Sequence, residues 1–221
     1  MINVLIFGSS GGIGGSIAAH HTTRGDVVKG LSRSIDGLDI TDAQSVKYHL
    51  GRLDRTFDRV IVATGALSVS GSVPEKTIRA IDSVAMADQF AVNAIGPALI
   101  LSHASRLLRK DRASVFSVLS AKVGSIGDNR LGGWISYRAA KAAVNQIVHT
   151  SAIELARSHS LSSVVALHPG TVETPFTSKY TARHASVPAH QAAANLVRVM
   201  DELTPAQSGG FFDYSGTELP W

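Results

Sequence analysis

A tyrosine and a lysine one helical turn apart are the residues of this sequence best suited to proton transfer. Tyr137 and Lys141 lie four positions apart in the segment SYRAAK, so a helix would place both side chains on one face. A phenol is a poor acid near neutral pH, but an adjacent ammonium favours the phenolate and lowers the pKa of the phenol. The pair therefore predicts a general acid or base at Tyr137, provided that other elements build a site around it.

A glycine-rich segment directly follows the first apolar run of the chain. Residues 3–7 are typical of a buried strand, and residues 8–15 read GSSGGIGG before a second stretch of small and apolar residues. Strand, glycine turn and helix in this order are typical of a dinucleotide phosphate site, because glycines let the backbone approach a pyrophosphate at the helix N-terminus. The predicted contact residues are Gly8, Ser10, Gly12, Ile13 and Gly14.

The length and composition predict one soluble, cytoplasmic domain. The 221 residues fit a single domain covering 1–221, and no apolar run is expected to reach membrane-spanning length. Cysteine is absent, which excludes disulfides, thiolate metal sites and a cysteine nucleophile. The net charge is +4, but the basic residues are dispersed, so neither nucleic acid nor a membrane is expected as a partner. No cluster of ligand-type residues calls for a metal.

Strand-like and helix-like segments alternate along the chain without a linker or an internal repeat. The predicted strands are 3–7, 26–32, 38–40, 59–63, 113–119, 164–168 and a last strand near Phe211. Predicted helices follow the glycine loop and the capping pattern at residues 41–44, and cover 87–110, 136–158 and 188–203. The alternation predicts an α/β, Rossmann-type, three-layer doubly wound parallel sheet of about seven strands, whose ligands bind at the carboxyl ends of the strands.

The second predicted strand ends with hydroxyls and a guanidinium. A site selective for NAD is expected to have a carboxylate there, bonded to the ribose 2′-hydroxyl. Arg33 can instead form a bidentate contact with a 2′-phosphate, and Ser32 or Ser34 can donate a further hydrogen bond. The alternative is an exposed loop arginine without a ligand. The residues favour NADP, and NADPH over NADH.

Together these motifs resemble the short-chain dehydrogenase/reductase family, and the resemblance extends from the first strand to the last. Gly8, Gly12 and Gly14 fit the family's GxxxGxG spacing, with Phe7 in place of a frequent threonine. The loop 125–134 and the C-terminal segment 209–221 are similar to those of the short carbonyl reductases of the C-factor and sniffer types.

The resemblance implies three further cofactor-binding segments. Adenine would be held by Asp39 and Ile40. The tripeptide Ala63, Thr64 and Gly65 would approach the cofactor with its backbone. The nicotinamide and its carboxamide would be contacted by Pro169, Val172 and Thr174. Ala63 replaces the asparagine that the family usually has.

The resemblance also implies roles for the catalytic residues. Tyr137 would donate the proton, and Lys141 would hold the nicotinamide ribose and lower the Tyr137 pKa. Asn93 would distort its helix and hold a water molecule in the proton relay.

The serine that polarises the carbonyl in this family has no direct counterpart. The gapless match places Ala121 at its position. Ser120, one residue earlier, is the preferred substitute, although a shift by one residue normally reverses the direction of a side chain at a strand end. Ser125 is the alternative, and either serine could instead serve only to cap the loop.

The expected activity is NADPH-dependent hydride transfer to a ketone or aldehyde, or the reverse reaction on the alcohol. The alternative is a cofactor-binding regulatory or signalling protein with little turnover. Residues 174–188 are expected to cover the substrate, either as a short cover over an open pocket or as a mobile lid. Trp134 is expected to line the pocket or to pack in a core or interface. By analogy with relatives, a homodimer or homotetramer is expected.

Overall fold

Six parallel strands form the central sheet of this computed structural model, which describes residues 1–174 and 186–221. In chain order the strands are β1 (Asn3–Phe7), β2 (Val27–Leu31), β3 (Arg59–Val62), β4 (Ser114–Leu119), β5 (Ser162–His168), β6 (Val172–Glu173), β7 (Val187–Pro188) and β8 (Phe211–Asp213). The sheet order is β2-β1-β3-β4-β5-β8, and β6 pairs only with β7. Because β2 and β3 flank β1 on opposite sides, a crevice forms at the carboxyl ends of β1 and β3.

Helices cover both faces of the sheet. They are α1 (Gly12–Thr23), α2 (Arg33–Asp36), α3 (Ala43–Gly51), α4 (Ser83–Phe90), α5 (Gly96–Leu101), α6 (Ala104–Leu107), α7 (Ile135–Leu155) and α8 (Ala189–Glu202), with a π-helical turn at Ala91–Ile95 between α4 and α5. One core cluster joins the sheet to α1 and α8, and a second joins it to α3, α5 and α7. The predicted Rossmann-type, three-layer α/β fold is therefore confirmed.

The apolar run of β1 is buried on both faces of the sheet. Leu5 and Phe7 pack in the core cluster on the α7 side, and Val4 and Ile6 pack in the cluster on the α1 side. All four side chains are fully buried. Burial on both faces is typical of strands in a parallel sheet covered by helices, and it holds the glycine loop that follows β1 at a defined place.

The predicted strand at residues 38–40 is not a strand, so the sheet has six strands where about seven were expected. Leu38 is buried in the core, but the backbone beside it has other hydrogen-bond partners. Leu38 N donates to Ser32 O, and Asp39 N donates to Ser45 Oγ. Because a strand needs ladder bonds to a neighbouring strand, the buried leucine anchors a loop here and does not extend the sheet.

The predicted helix at 87–110 begins earlier and is interrupted. Asp82 Oδ1 accepts a hydrogen bond from Ala85 N at 2.8 Å, which starts α4 at Ser83. The π-helical turn then separates α4 from α5, and α6 follows after a short break. The single predicted helix is therefore three short helices, α4, α5 and α6.

The helical stretch Ser83–Leu101 has a mean hydropathy of 1.5, which makes it long and apolar enough to cross a membrane by length and composition. The expectation that no segment reaches this length was therefore wrong. One such stretch is weak evidence for a membrane span, since core helices of soluble proteins meet the same criterion. In this chain Ala94, Ile100 and Leu101 of the stretch belong to the buried core.

The segment predicted to cover the substrate, 174–188, falls mostly outside the described residues. Thr174 follows β6, and Ser186 precedes β7. The short parallel pair of β6 and β7 joins these two points through a hydrogen bond from Val187 N to Thr171 O at 3.0 Å. The two ends of the predicted cover therefore lie beside the carboxyl end of β5.

Candidate active site

The glycine loop brings the backbone of α1 close to the carboxyl end of β1. Gly8 lies in the left-handed region with φ 81°, which a residue with a Cβ rarely adopts. A Cβ at Gly14 would lie 2.2 Å from Gly8 O, so the loop and the helix pack backbone against backbone. The first N–H groups of a helix have no partner within it, and Gly12 and Ile13, at the start of α1, line a cavity together with Ser10.

The end of β2 lies beside the glycine loop. Ser34 Oγ donates to Ser10 Oγ at 2.9 Å and links the two segments. Ser32 caps α2 by accepting a hydrogen bond from Ile35 N at 3.3 Å. Arg33 occupies the first position of α2, is exposed, and forms no ion pair with any residue that the structure describes. Its guanidinium is thus available to an anion next to the loop.

Asp39 and Ile40 lie in the loop after α2. Asp39 Oδ1 accepts hydrogen bonds from Thr41 N at 2.9 Å and from Thr41 Oγ1 at 2.7 Å. These bonds, together with the charge of Arg33, hold the pKa of Asp39 below its usual value. Ile40 packs on the helix that bears Asn93, since a Cβ at Gly96 would lie 2.7 Å from Ile40 Cδ1.

The loop after β3 forms another wall of the crevice. Ala63 N donates to the last residue of β1 at 2.9 Å, which holds the loop beside the glycine segment. Thr64 Oγ1 is buried and has no hydrogen-bond partner within the described ranges. A Cβ at Gly65 would lie 3.1 Å from Asn93 Oδ1 and 3.4 Å from Lys141 Nζ. A buried hydroxyl without a partner in the wall of a cavity is suited to a polar ligand.

Tyr137 and Lys141 are buried side by side on α7. Their exposed fractions are 6 % and 3 %, and Lys141 Nζ lies 5.8 Å from the centroid of the Tyr137 ring. Lys141 Nζ donates to Leu119 O at the carboxyl end of β4, at 3.0 Å. The helix thus presents both side chains to the strand ends, as the spacing in the sequence predicts.

The protonation of the pair differs from the prediction. Burial raises the pKa of the Tyr137 phenol above its usual value of 10.0, and burial lowers the pKa of Lys141 to about 8. The expected lowering of the Tyr137 pKa by Lys141 is therefore not observed. The physical reason is that both groups leave water, and desolvation disfavours the charged form of each.

Asn93 lies in the π-helical turn and is fully buried. Its Oδ1 accepts from Ala66 N at 3.0 Å, and its Nδ2 donates to Ala66 O at 2.8 Å and to Gln89 Oε1 at 2.7 Å. The side chain therefore fastens the loop after β3 to the helix. The helix distortion implied by the resemblance is present, but the contacts of Asn93 are with protein groups, and it does not line the cavity.

The two candidate serines have different surroundings. Ser120 lines the cavity together with Ala121, and its Oγ donates to Asn145 Oδ1 at 2.5 Å. Asn145 Nδ2 is buried without a partner in the described residues. Ser125 lies outside the cavity lining, where its Oγ accepts from the backbone of the following loop at 3.1 Å and donates to Trp221 O at 3.4 Å. Of the two serines, Ser120 is the one among the residues that line the cavity.

The segment after β5 closes the other end of the crevice. Pro169, Val172 and Thr174 line the cavity, and a Cβ at Gly12 would lie 2.7 Å from Thr174 Cγ2. His168, which also lines the cavity, was not singled out from the sequence. Burial lowers its pKa to about 4, and its Nδ1 has no hydrogen-bond partner in the described parts of the chain. His168 is therefore a neutral polar group available to a ligand.

Glu75 is a second residue that sequence reasoning missed. Its carboxylate accepts hydrogen bonds from Ser136 Oγ and from Ser136 N, the latter at 3.3 Å. Its backbone O accepts from Trp134 N at 2.5 Å. The loop before α4 therefore caps the amino end of α7 through Ser136, the residue that precedes Tyr137. No local pattern indicates this contact, because Glu75 and Ser136 are 61 residues apart in the sequence.

One cavity of about 1160 Å³ joins most of these residues. The predicted residues that line it are Ser10, Gly12, Ile13, Ala63, Thr64, Gly65, Ser120, Tyr137, Lys141, Pro169, Val172 and Thr174. Gly8 and Gly14 are not among the lining residues, and their close contact sets the conformation of the glycine loop. Ser32, Arg33, Asp39 and Ile40 lie beyond this lining, on the α2 side of the glycine loop. In the described residues, no three histidine, aspartate or glutamate side chains are placed to hold a metal ion.

Comparison with known proteins agrees with this architecture. Residues 15–208 match a family model described as enoyl-(acyl carrier protein) reductase. The 1-hydroxy-2-glutathionyl-2-methyl-3-butene dehydrogenase of Rhodococcus sp. (strain AD45) is 33 % identical over 237 residues, covering 100 % of both chains. The C-signal of Myxococcus xanthus is 36 % identical over 141 residues, which are 64 % of this chain and 81 % of that protein.

A solved structure shows the same fold. A protein from Burkholderia multivorans, described as a short-chain dehydrogenase/reductase with bound NADP, superposes with a TM-score of 0.81. The two proteins are 24 % identical, and the superposition covers 99 % of each chain. The match of the family model over most of the chain and the full-length relative place this chain in the short-chain dehydrogenase/reductase family of oxidoreductases.

Proposed function

We propose that this protein is an NADPH-dependent reductase that transfers a hydride to the carbonyl carbon of a ketone or aldehyde. The observation that carries the proposal is the burial of Tyr137 and Lys141 in one wall of a cavity that also contains the glycine loop. A phenol and an ammonium beside a dinucleotide site supply a proton donor next to a hydride donor. A mere surface pair would be solvated and would line no cavity.

The residues present fit NADP. Gly14 packs against Gly8 so closely that a Cβ would clash, which leaves the backbone of the loop open to a pyrophosphate. Arg33, which precedes the Ser34 that bonds Ser10, is an exposed cation suited to a 2′-phosphate, and the Burkholderia protein of the same fold contains NADP. When bound, NADPH supplies the hydride. Lys141 would hold the ribose hydroxyls through Nζ.

Tyr137 would act as the general acid. Its raised pKa keeps the phenol protonated near neutral pH, so the proton is available to the alkoxide that forms on the substrate. The cationic form of Lys141, which is favoured below its pKa of about 8, lies next to the phenol and would stabilise the phenolate left after proton transfer.

Ser120 is the hydroxyl that we assign to the substrate carbonyl. In the structure its proton is directed to Asn145 Oδ1. A half-turn of the Asn145 amide would let Nδ2, now without a partner, donate to Ser120 Oγ and would leave the Ser120 proton for the carbonyl oxygen. One hydroxyl proton cannot serve both acceptors, so turnover through Ser120 requires this rearrangement.

Replacement of Tyr137 by Phe tests the proposed reaction. The variant keeps the buried ring and loses only the acidic proton, so the rate of NADPH oxidation with a panel of ketones and aldehydes is expected to fall by ~10²–10⁴-fold. Dissociation constants of NADPH, measured by fluorescence, should stay within a factor of about two because the glycine loop is unchanged. Equal rates for the wild type and Tyr137→Phe would refute the assigned role.

The second candidate is a cofactor-binding regulatory protein with little turnover. Two observations favour it: Ala121 stands where the family has its serine, and a curated relative bears the name C-signal. Tight NADPH binding together with no NADPH oxidation for any carbonyl compound of the panel would support this alternative. Reduction of even one class of compound by the wild type and not by Tyr137→Phe would support the enzyme.

Arg33→Asp tests the choice of cofactor. The substitution replaces the guanidinium with a carboxylate that repels a 2′-phosphate and can accept a bond from a 2′-hydroxyl. The dissociation constant of NADPH is expected to rise by roughly 10- to 100-fold, and that of NADH to stay equal or fall. Arg52→Asp, on the C-cap of α3, is the matched control and should change neither constant. Equal weakening of both cofactors by Arg33→Asp would remove the 2′-phosphate assignment.

We also propose that the protein forms a homo-oligomer in the cytoplasm. Apolar side chains before and within the stretch that bears Asn93 are exposed, among them Ile78, Ile81, Val84 and Ile95. A second copy packed on this surface would remove them from water. Light scattering coupled to gel filtration tests the proposal, and a monomer at micromolar concentration would contradict it.

A further inference from the structure

The charged residues that line the cavity are concentrated at one end of it. At the glycine-loop end the lining residues Ser10, Gly11, Gly12 and Ile13 are all uncharged. Around the amino end of α7 the lining includes a group that we call the charged rim. The charged rim consists of Lys76, Lys122, Asp128, Arg130 and Arg138. It therefore has four cations and one carboxylate.

Two cations of the charged rim are already satisfied by protein groups. Lys122 Nζ lies 3.5 Å from Asp128 Oδ2. The guanidinium of Arg138 donates to three backbone carbonyls, those of Gly132, Gly133 and Val123, at 2.9 to 3.3 Å. Asp128 offsets the charge of Lys122, whereas the carbonyls engage the donors of the Arg138 guanidinium and hold it against the loop 122–133 without cancelling its charge.

Lys76 and Arg130 have no such partners. Neither forms an ion pair within the described part of the chain, and the hydrogen bond of Arg130 is a long one of 3.5 Å to the adjacent Asn129 O. The adjacent Glu75 forms no ion pair with Lys76 in the described structure, since its carboxylate oxygens accept hydrogen bonds from Ser136. Two exposed cations that line the cavity therefore have no ion-pair partner among the described residues.

The location of these two cations assigns them to the substrate end of the cavity. Trp134 N donates to Glu75 O, which places the residue next to Lys76 at the start of α7. The Trp134 and Tyr137 rings meet edge to face with centroids 6.3 Å apart, so this end of the cavity is the one beside the phenol. The predicted pyrophosphate and 2′-phosphate groups belong to the glycine loop and Arg33 at the other end.

The surface around the charged rim is apolar. Val123 and Leu131 adjoin Lys122 and Arg130 in the chain, and both line the cavity, as do Trp134 and Leu67. Leu131 is 90 % exposed, so its side chain is accessible to an apolar part of a ligand. A ligand with an apolar body and a terminal anion would match this combination of side chains.

We propose that the substrate is a carbonyl compound with an apolar body and a remote carboxylate, and that Lys76 and Arg130 bind that carboxylate. The inference rests on the proposed reductase function and adds the class of substrate to it. The two cations contact the part of the substrate that does not react, so they are expected to lower KM and to leave kcat almost unchanged.

Matched pairs of ketones test the proposal. One pair is 4-acetylbenzoate and the neutral 4-acetylbenzamide, and a more flexible pair is 6-oxoheptanoate and its amide. The wild type is expected to show a kcat/KM roughly three- to tenfold higher for the carboxylate of at least one pair, mainly through KM. The preference should shrink as the salt concentration rises from 0.02 M to 0.5 M, because exposed charges are screened.

Single and double variants locate the effect. Lys76→Gln with Arg130→Gln is expected to abolish the preference and to leave kcat/KM for the amides within about twofold. Lys110→Gln removes the same charge from an exposed site before the amino end of β4, whereas the cavity lies at the carboxyl ends of the strands. This variant should keep the preference for the carboxylate. A preference retained in the double variant, or lost in Lys110→Gln, would overturn the proposal.

A binding experiment separates this inference from the proposed function. Calorimetric titration of the NADP-bound protein with 4-acetylbenzoate and with 4-acetylbenzamide measures affinity without turnover. If the protein reduced each amide with the same kcat/KM as the matching carboxylate and bound both equally well, the anionic substrate would be refuted. The proposed reductase function would then still stand. Tighter binding of the carboxylate without reduction of any ketone would support the charged rim and refute the reductase.

Discussion

Two buried cations lie at opposite ends of the parallel strands and are held in different ways. We call the two ends the amino edge and the carboxyl edge of the sheet. Arg59, at the amino end of β3, is paired with the carboxylate of Asp201 on α8, which also accepts from Arg24 Nη1 at 2.8 Å. Among the described residues, the partner of Lys141, at the carboxyl edge, is the backbone carbonyl of Leu119 alone. Their exposed fractions are 7 % and 3 %. The same sheet therefore compensates one buried charge and leaves the other without a counter-charge.

The difference follows from what each edge does. At the amino edge, ion pairs fasten α1, β2, β3 and α8 to one another, and further bonds from Ile2 N to Asp26 and from Asn3 N to Asp58 fix the start of β1. At the carboxyl edge, a carboxylate beside Lys141 would neutralise the cation and compete with a ligand. A buried charge without a counter-ion costs stability, so the site is expected to be a place where stability is lost in favour of binding.

The largest expected effect on stability comes from Lys141→Met. The folded-state pKa of Lys141 is about 8 and the ordinary value is 10.5, so the unfolded chain binds more protons between these two values. The free energy of unfolding of the wild type should therefore rise with pH from about 8 to 10.5. Below pH 8 the full penalty applies, and Lys141→Met is expected to be more stable there by up to ~3 kcal/mol.

Urea titrations between pH 7 and 10.5 measure this difference. Lys47→Met, which removes an exposed lysine of α3, is the control and should have the pH profile of the wild type. If wild type and Lys141→Met gave parallel profiles, Lys141 would not be a destabilising buried cation. The Lys141→Met protein should also lose reductase activity, which separates stability from function at this edge.

The opposite result is expected at the amino edge. Asp201→Asn leaves Arg59 buried without its carboxylate and is expected to lower the free energy of unfolding by about 1–2 kcal/mol, a value reduced by the partial exposure of Asp201. Glu202→Gln, one residue further on α8, removes an exposed pair with Arg198 and should cost no more than about 0.5 kcal/mol. Activity per folded molecule should be unchanged in both. A stability loss as large for Glu202→Gln as for Asp201→Asn would contradict the comparison.

The smallest expected effect concerns the cap of α7. Glu75→Ala removes the acceptors of Ser136 N and Oγ, so the first turn of the helix loosens next to Tyr137. The value of kcat is expected to fall roughly 3- to 10-fold, with the NADPH dissociation constant unchanged. Glu75→Gln keeps an acceptor and should restore most of kcat. Ser136→Ala removes the hydroxyl bond to Glu75 and keeps the backbone one, so its loss should be smaller, and the double variant should be no worse than Glu75→Ala alone. Additive losses would argue against a shared role.

The parts of the site that sequence reasoning predicted are local. The turn that Gly8 and Gly14 require, the apolar run of β1 and the one-turn spacing of Tyr137 and Lys141 depend on neighbours within a few residues. The predicted strand at residues 38–40 failed for a tertiary reason, since Ser45 and Ser32 take the hydrogen bonds that a strand would need. The assignment of a catalytic role to Ser120 stays a prediction, and its partner Asn145 was not identifiable from the sequence.

The sequence by itself determined the alternation of strands and helices, the glycine loop and the order of the polar residues at the strand ends, because periodicity and backbone sterics act over short distances. Only the tertiary structure decided the protonation of Tyr137 and Lys141, since the sign of each pKa shift depends on burial among distant elements. It also decided which charges are compensated. Asp201 pairs with Arg59, whereas Lys76, Arg130 and Lys141 have no carboxylate partner in the described structure.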